Sequence, residues 1–175
     1  MAKIKIVYGN IVSIIFVAVA VYLSKVASIF PFLLRVLISL FCWYAMLYFT
    51  HCISHYIVGY ILGVKFSHYF ISKSMLSKAK IPLLSTLFSR KVFLGLKIKR
   101  KSSNFRMFLM FLAGPLASMF SPLVIVFNIY SYDKLIGFLL LILTMGNIIF
   151  TGYYSYKFGC IRKALNSLKG LDWKV

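Results

Sequence analysis

The chain has 175 residues, 62% of them hydrophobic, with a mean hydropathy of +0.92, which excludes an ordinary soluble domain and points to a membrane protein. Lysine and arginine number 21 against two acids, Asp133 and Asp172, and there is no glutamate. The basic residues cluster between apolar runs, which argues against nucleic acid as their partner and assigns them to topology and to the anionic headgroups of a lipid bilayer.

The first apolar run covers residues 7–24, behind Lys3 and Lys5. Its basic start and its Ala18 and Ala20 have the look of a secretory leader. A retained helix fits better, because Lys25 to Pro31 leads directly into more apolar sequence. The second span is residues 32–64. From Val36 to Val64 it carries no Asp, Glu, Lys or Arg, and these 29 residues make roughly 43 Å of helix against a hydrocarbon core of about 30 Å. Tilt, or a start outside the core, absorbs the excess. The third span is residues 107–130 and the fourth 135–154.

Loop charges orient these spans. Residues 65–106 hold eleven basic residues: Lys65, Lys73, Lys78, Lys80, Arg90, Lys91, Lys97, Lys99, Arg100, Lys101 and Arg106. The tail, residues 157–175, adds Lys157, Arg162, Lys163, Lys169 and Lys174. The positive-inside rule puts this loop and both termini in the cytoplasm, with Lys25 and Asp133–Lys134 in short external turns. Arg35 falls near the outer end of its helix, where a long side chain reaches the interface unaided. Within the loop, Val64–Phe70 and Val92–Ile98 have the β-branched and aromatic content of short strands, separated by Pro82 and serine-containing stretches. The expected fold is therefore an all-α polytopic membrane protein, a single domain over residues 1–175. It has about four transmembrane helices and a small cytoplasmic β element between the second and third.

Three places can carry chemistry. His51 and His55 lie four apart inside the second span, on one helix face, close enough to share a metal ion. Ionisable side chains in lipid are costly, and two at this spacing outweigh the bland reading of a histidine hydrogen-bonded to a neighbour. Ala113-Gly114-Pro115-Leu116-Ala117 in the third span permits close helix packing, and Pro115 removes a backbone hydrogen bond and bends the helix. Asn147 sits among apolar residues of the fourth span, and Cys160 follows Gly159 just before a basic helix. His68, beside Tyr69 and Phe70, reads as interfacial, and Cys42 as an ordinary apolar residue.

In this order the three places resemble the site-2 protease family, zinc metalloproteases that cut peptide bonds inside membranes. That family has HExxH on one transmembrane helix, a small cytoplasmic β region, an AGP-containing helix, and a helix ending in the aspartate that completes the zinc site. His51-Cys52-Ile53-Ser54-His55 matches HExxH except at Cys52, and Phe111–Ser118 reads FLAGPLAS. Leu62-Gly63-Val64-Lys65-Phe66 is similar to the exit from the histidine helix. Gly159-Cys160 is similar to the family's Gly-Asp, and Asn147 to the asparagine ahead of it, with Ser155 a rival for the aspartate position. The resemblance covers roughly Phe41 to Leu168.

The departures fall on the chemistry. Cys52 stands where the family's general base would be, so no catalytic residue is intact. The metal ligands implied are His51, His55 and Cys160, a set that can bind zinc. A Cys52–Cys160 disulfide competes with that set, and a reducing cytoplasm argues against it. The resemblance assigns Gly114, Pro115 and Asn147 to a substrate-helix groove. The expectation is a site-2-protease-like protein, inactive, keeping its metal site or groove and binding transmembrane segments of other proteins. An active protease with an unusual ligand set, and a small transporter or scaffold, are the alternatives.

Overall fold

A computed structural model describes residues 3–73, 92–100 and 102–170. The middle of the basic loop, with Pro82, and the last five residues of the tail lie outside the described residues.

Helix α1 (Ile6–Val26) buries its small residues Gly9, Ser13, Ala20 and Ser24, and a single 3-10 turn, Ala27–Ile29, ends its span. Small side chains let helices approach closely without a hydrophobic drive, as packing in lipid requires. Ala20 and Ala27 accordingly share a core with Cys42, Ala45 and Met46 of helix α2 (Phe32–Ile61). Helix α2 stops at Gly63, whose φ of +76° suits only glycine without strain. Gly63 N–H donates to the Tyr60 carbonyl and Val64 N–H to that of Gly59, so the last carbonyls are satisfied and the chain turns sharply into a strand.

The sheet has the order β1-β2-β3, with β1 Lys3–Ile4, β2 Lys65–Lys73 and β3 Val92–Arg100. All pairings are antiparallel: Ile4 opposes Tyr69, and Tyr69 opposes Leu96. The β element thus includes the chain's N-terminal end as well as the loop between the second and third spans. Tyr69 is fully buried against Gly9 and donates its hydroxyl to Asn10 Oδ1 at 2.7 Å, pinning the sheet to α1. Burial pushes its phenol above the ordinary range, so it stays a donor.

Helix α3 (Asn104–Phe120) and helix α4 (Pro122–Tyr130) divide the third span, which is longer than the sequence suggested and runs Asn104–Tyr130. Pro122 opens α4 at a position where no N–H is needed, and Ser121 keeps helical angles, so the span stays continuous. Helix α5 (Lys134–Phe158) exceeds its predicted end at residue 154 by one turn, and helix α6 (Cys160–Leu168) follows directly. The described residues thus contain four helical spans long and apolar enough to cross a membrane. Their outward faces, with Ile14, Leu33, Phe127 and Ile149, are exposed and apolar.

Arg35 does more than reach an interface. At the bundle end opposite the sheet its Nη1 meets Asp133 Oδ2 at 2.9 Å, and its Nη2 donates to the carbonyls of Ser28 and Phe30. Asp133 Oδ1 also accepts from Ile136 N–H and caps α5. One carboxylate thus holds the start of α2, the preceding turn and the start of α5. Asp133→Asn keeps a capping acceptor but removes the charge, whereas Asp133→Ala removes both. Thermal unfolding in detergent should rank wild type above Asp133→Asn above Asp133→Ala, the last two separated by about 1 kcal/mol. Equal melting of all three would remove this role.

Candidate metal centre

The offset of four residues turns both α2 histidines toward α3, their rings 4.8 Å apart and nearly perpendicular, at 84°. His55 donates its Nδ1–H to the Met110 carbonyl at 2.6 Å. His51 Nδ1 lies 3.2 Å from Ser118 Oγ, whose own hydrogen goes to the Pro115 carbonyl at 3.0 Å. With Ser118 donating to Pro115, the tautomer that completes its contact to His51 has the ring hydrogen on Nδ1. Both rings turn Nε2 inward, and these two nitrogens are 3.3 Å apart. Lone pairs facing each other at that distance repel unless a cation or a proton lies between them. Orientation of a ligating imidazole through its other nitrogen is the usual support of a metal site.

Cys160 brings the third donor. Its Sγ lies 3.8 Å from His51 Nε2, and the three donor atoms all lie within 4.8 Å of one another, so the cluster could hold a metal ion. Cys160 is a free thiol, and burial pushes it up to about 11, with the Lys163 ammonium pulling the other way. Its position follows from the α5–α6 junction. Ser155 Oγ accepts from Ile161 N–H at 3.0 Å, and a Cβ at Gly159 would lie 2.8 Å from Ser155 Cα. Ser155 therefore shapes the turn and caps α6, and it is Cys160 that reaches the histidines.

Gly114, Pro115 and Asn147 are not in the cavity wall and support the cluster from behind. A Cβ at Gly114 would run into the His55 ring, so the glycine is the floor on which that ring lies. Pro115 is buried beneath it. Asn147 Nδ2 donates to the Ser118 carbonyl at 3.0 Å and its Oδ1 accepts from Thr151 Oγ1, tying α5 to the turn of α3 that holds His51. Cys52 is buried and lines the same cavity but is outside the three-donor cluster. Cys42 lies in the core between α1 and α2, and His68 pairs with Ser67 Oγ at 2.8 Å on the sheet.

The cluster opens into a cavity of about 90 Å³ roofed by β2 and β3, through Phe66, Phe70, Leu96 and Ile98. Gly95 lets the Phe70 ring lie across the sheet, since a Cβ there would strike it. No carboxylate lines the cavity among the described residues. Two of its contributors escaped the sequence reading. Ser118 lay inside the FLAGPLAS motif without a role, and Lys163, one turn after Cys160, is the only cation in the cavity wall among the described residues. The i, i+3 spacing from Cys160 was the signal for it.

No protein-family model, no curated protein and no solved structure matches this chain. The likeness to site-2 proteases rests on the motifs quoted above.

Gly114→Ala should displace the His55 ring and weaken metal binding about 10- to 100-fold, the usual cost of disturbing a ligand's support. Competition against a metal-buffering chelator measures it. Gly146→Ala is the control, since a Cβ there meets nothing within 4 Å. Equal affinity of both variants would show that His55 does not need its floor.

Proposed function

We propose that this chain is a multi-pass membrane protein of the site-2 protease type that binds zinc through His51, His55 and Cys160 and no longer cuts peptide bonds. It acts by binding transmembrane segments of other proteins. The observation that carries the proposal is the pair of inward Nε2 atoms 3.3 Å apart with a thiol beside them. Tetrahedral zinc with nitrogen ligands at about 2.0–2.1 Å and sulfur at about 2.3 Å places N and N about 3.3 Å apart and N and S about 3.6 Å apart. Two of the three separations, 3.3 and 3.8 Å, fit that donor set, and the third, between His55 Nε2 and Cys160 Sγ, falls within the cluster's 4.8 Å span and closes as the ligands draw in on the ion. Two imidazoles and a thiol also suit zinc better than a hard cation such as magnesium.

Zinc in such a site supplies a Lewis acid. The chain's own residues do not supply the rest. Position 52 holds a thiol, and no carboxylate lines the cavity among the described residues, so nothing there takes a proton from an attacking water. A positioned general base is worth about a hundred- to ten-thousand-fold in rate. With zinc bound, Cys160 is also a more electron-rich donor than an aspartate, which leaves the metal a poorer Lewis acid. What remains is a largely apolar recess of about 90 Å³ beside the helices, of a size to take one side chain of a partner's segment that lies against them.

Elemental analysis should find one zinc per wild-type chain and almost none in His55→Ala. Equal zinc in the two, or none in the wild type, sinks the metal reading. On a reconstituted transmembrane substrate the wild type should cleave no faster than His55→Ala. Cys52→Glu combined with Cys160→Asp should gain more activity than either change alone. Robust chelator-sensitive cleavage by the wild type would replace the inactive reading with an active protease.

The same proposal places the sheet, the basic loop and both termini on the cytoplasmic side, because the eleven basic residues of the loop and five of the tail are costly to translocate. A Ser85→Cys variant in intact cells should resist a membrane-impermeant thiol reagent until lysis. Labelling before lysis would invert the orientation.

A further inference from the structure

We propose that the cavity beside the His51–His55–Cys160 cluster is a carboxylate site, the anionic head lying between the cluster and Lys163 and a short apolar tail lying among Phe66, Phe70, Leu96 and Ile98. The metal-bound form of this proposal rests on the zinc reading above.

The argument is one of charge. Two neutral imidazoles and one thiolate leave a divalent ion with one uncompensated positive charge, and Lys163 adds a second in the same cavity wall. Among the described residues no carboxylate faces them. Asp133, the one acid that is described, is engaged with Arg35 at the far end of the bundle, and Asp172 lies outside the described residues. Like charges in an apolar recess are strongly unfavourable unless an anion joins them. A carboxylate suits both partners, as a hard oxygen donor for a metal and as a charge-assisted acceptor for an ammonium.

Size and lining select the rest of the ligand. A cavity of about 90 Å³ has room for about half a dozen water-sized groups, at roughly 10–15 Å³ each. Its sheet side is aromatic and aliphatic, which favours a hydrocarbon tail over a second polar group. Lys163 is half-buried, so its wall also touches the surface, which gives a water-soluble anion a way in.

The test uses the full-length protein in detergent loaded with cobalt(II), whose visible spectrum reports on its ligands. Butyrate should shift the spectrum with half-saturation on the order of millimolar, typical of a very small ligand. Its neutral isostere butyramide should not. Lys163→Gln should retain the metal and weaken butyrate binding at least tenfold, while Lys157→Gln leaves it unchanged. N-acetyl-leucine tests the source of the carboxylate. Tighter binding than butyrate points to a polypeptide terminus, weaker binding to a free short acid, and either supports a carboxylate site. If cobalt does not bind, the zinc reading fails by itself. Equilibrium dialysis of labelled butyrate against the metal-free protein then decides, with Lys163-dependent retention expected. Equal effects of butyrate and butyramide, wild-type affinity in Lys163→Gln, or no retention in either form would overturn the proposal.

Discussion

The contact between α2 and α3 sets everything else in this molecule. In an apolar bundle a polar side chain must find its partner inside the protein, and α3 supplies both histidine partners from its main chain and one serine. Met110 holds His55, Ser118 holds His51, and Gly114 gives the His55 ring room against the helix. Losing the Ser118 hydroxyl would take away the partner of His51, and a side chain at Gly114 would displace the His55 ring. The AGP-type segment is therefore best understood as the surface that fixes imidazole orientation. Its small residues do for the rings what small residues elsewhere do for neighbouring helices.

An absence of acid runs through the whole design. With no glutamate and two aspartates, the chain has little with which to balance its 21 basic residues. The one described aspartate is placed where it serves most, joining three segments at the end of the bundle away from the sheet. At the other end, one serine hydroxyl and one backbone carbonyl orient the histidines, where a metal site ordinarily uses carboxylates as well. Neutral acceptors orient an imidazole but make it less basic than a carboxylate would.

Much of the fold was legible because membrane spans announce themselves by length and lack of charge, and the i, i+4 histidines were legible because the spacing alone fixes their face. Other features were hidden for physical reasons. Two residues, Lys3 and Ile4, carry no periodicity, so the strand they form against β2 appears only once the chain is folded. Arg35 and Asp133 are 98 residues apart, and no local pattern joins them. Cys160 entered by resemblance, since nothing in its own neighbourhood marks a ligand. The roles of Asn147 and Ser118 are main-chain and hydroxyl contacts across helices, which leave no trace in composition. Ser155 and Cys160 stood as rivals in the sequence, and the turn at Gly159 separates them: one side chain caps a helix, the other faces the rings.

The long separation between donors has a consequence for how the site comes into being. His51 and Cys160 are 109 residues apart, and Cys160 begins the last described helix. During synthesis the histidine pair of α2 emerges well before its thiol partner, and the α3 acceptors emerge in between. Each imidazole can therefore be oriented before the third donor exists. The third donor arrives with the packing of α6, whose Ala164 and Ser167 are buried in the folded chain. The centre is therefore the most non-local feature of the fold, joining residues of the second and the last described helices.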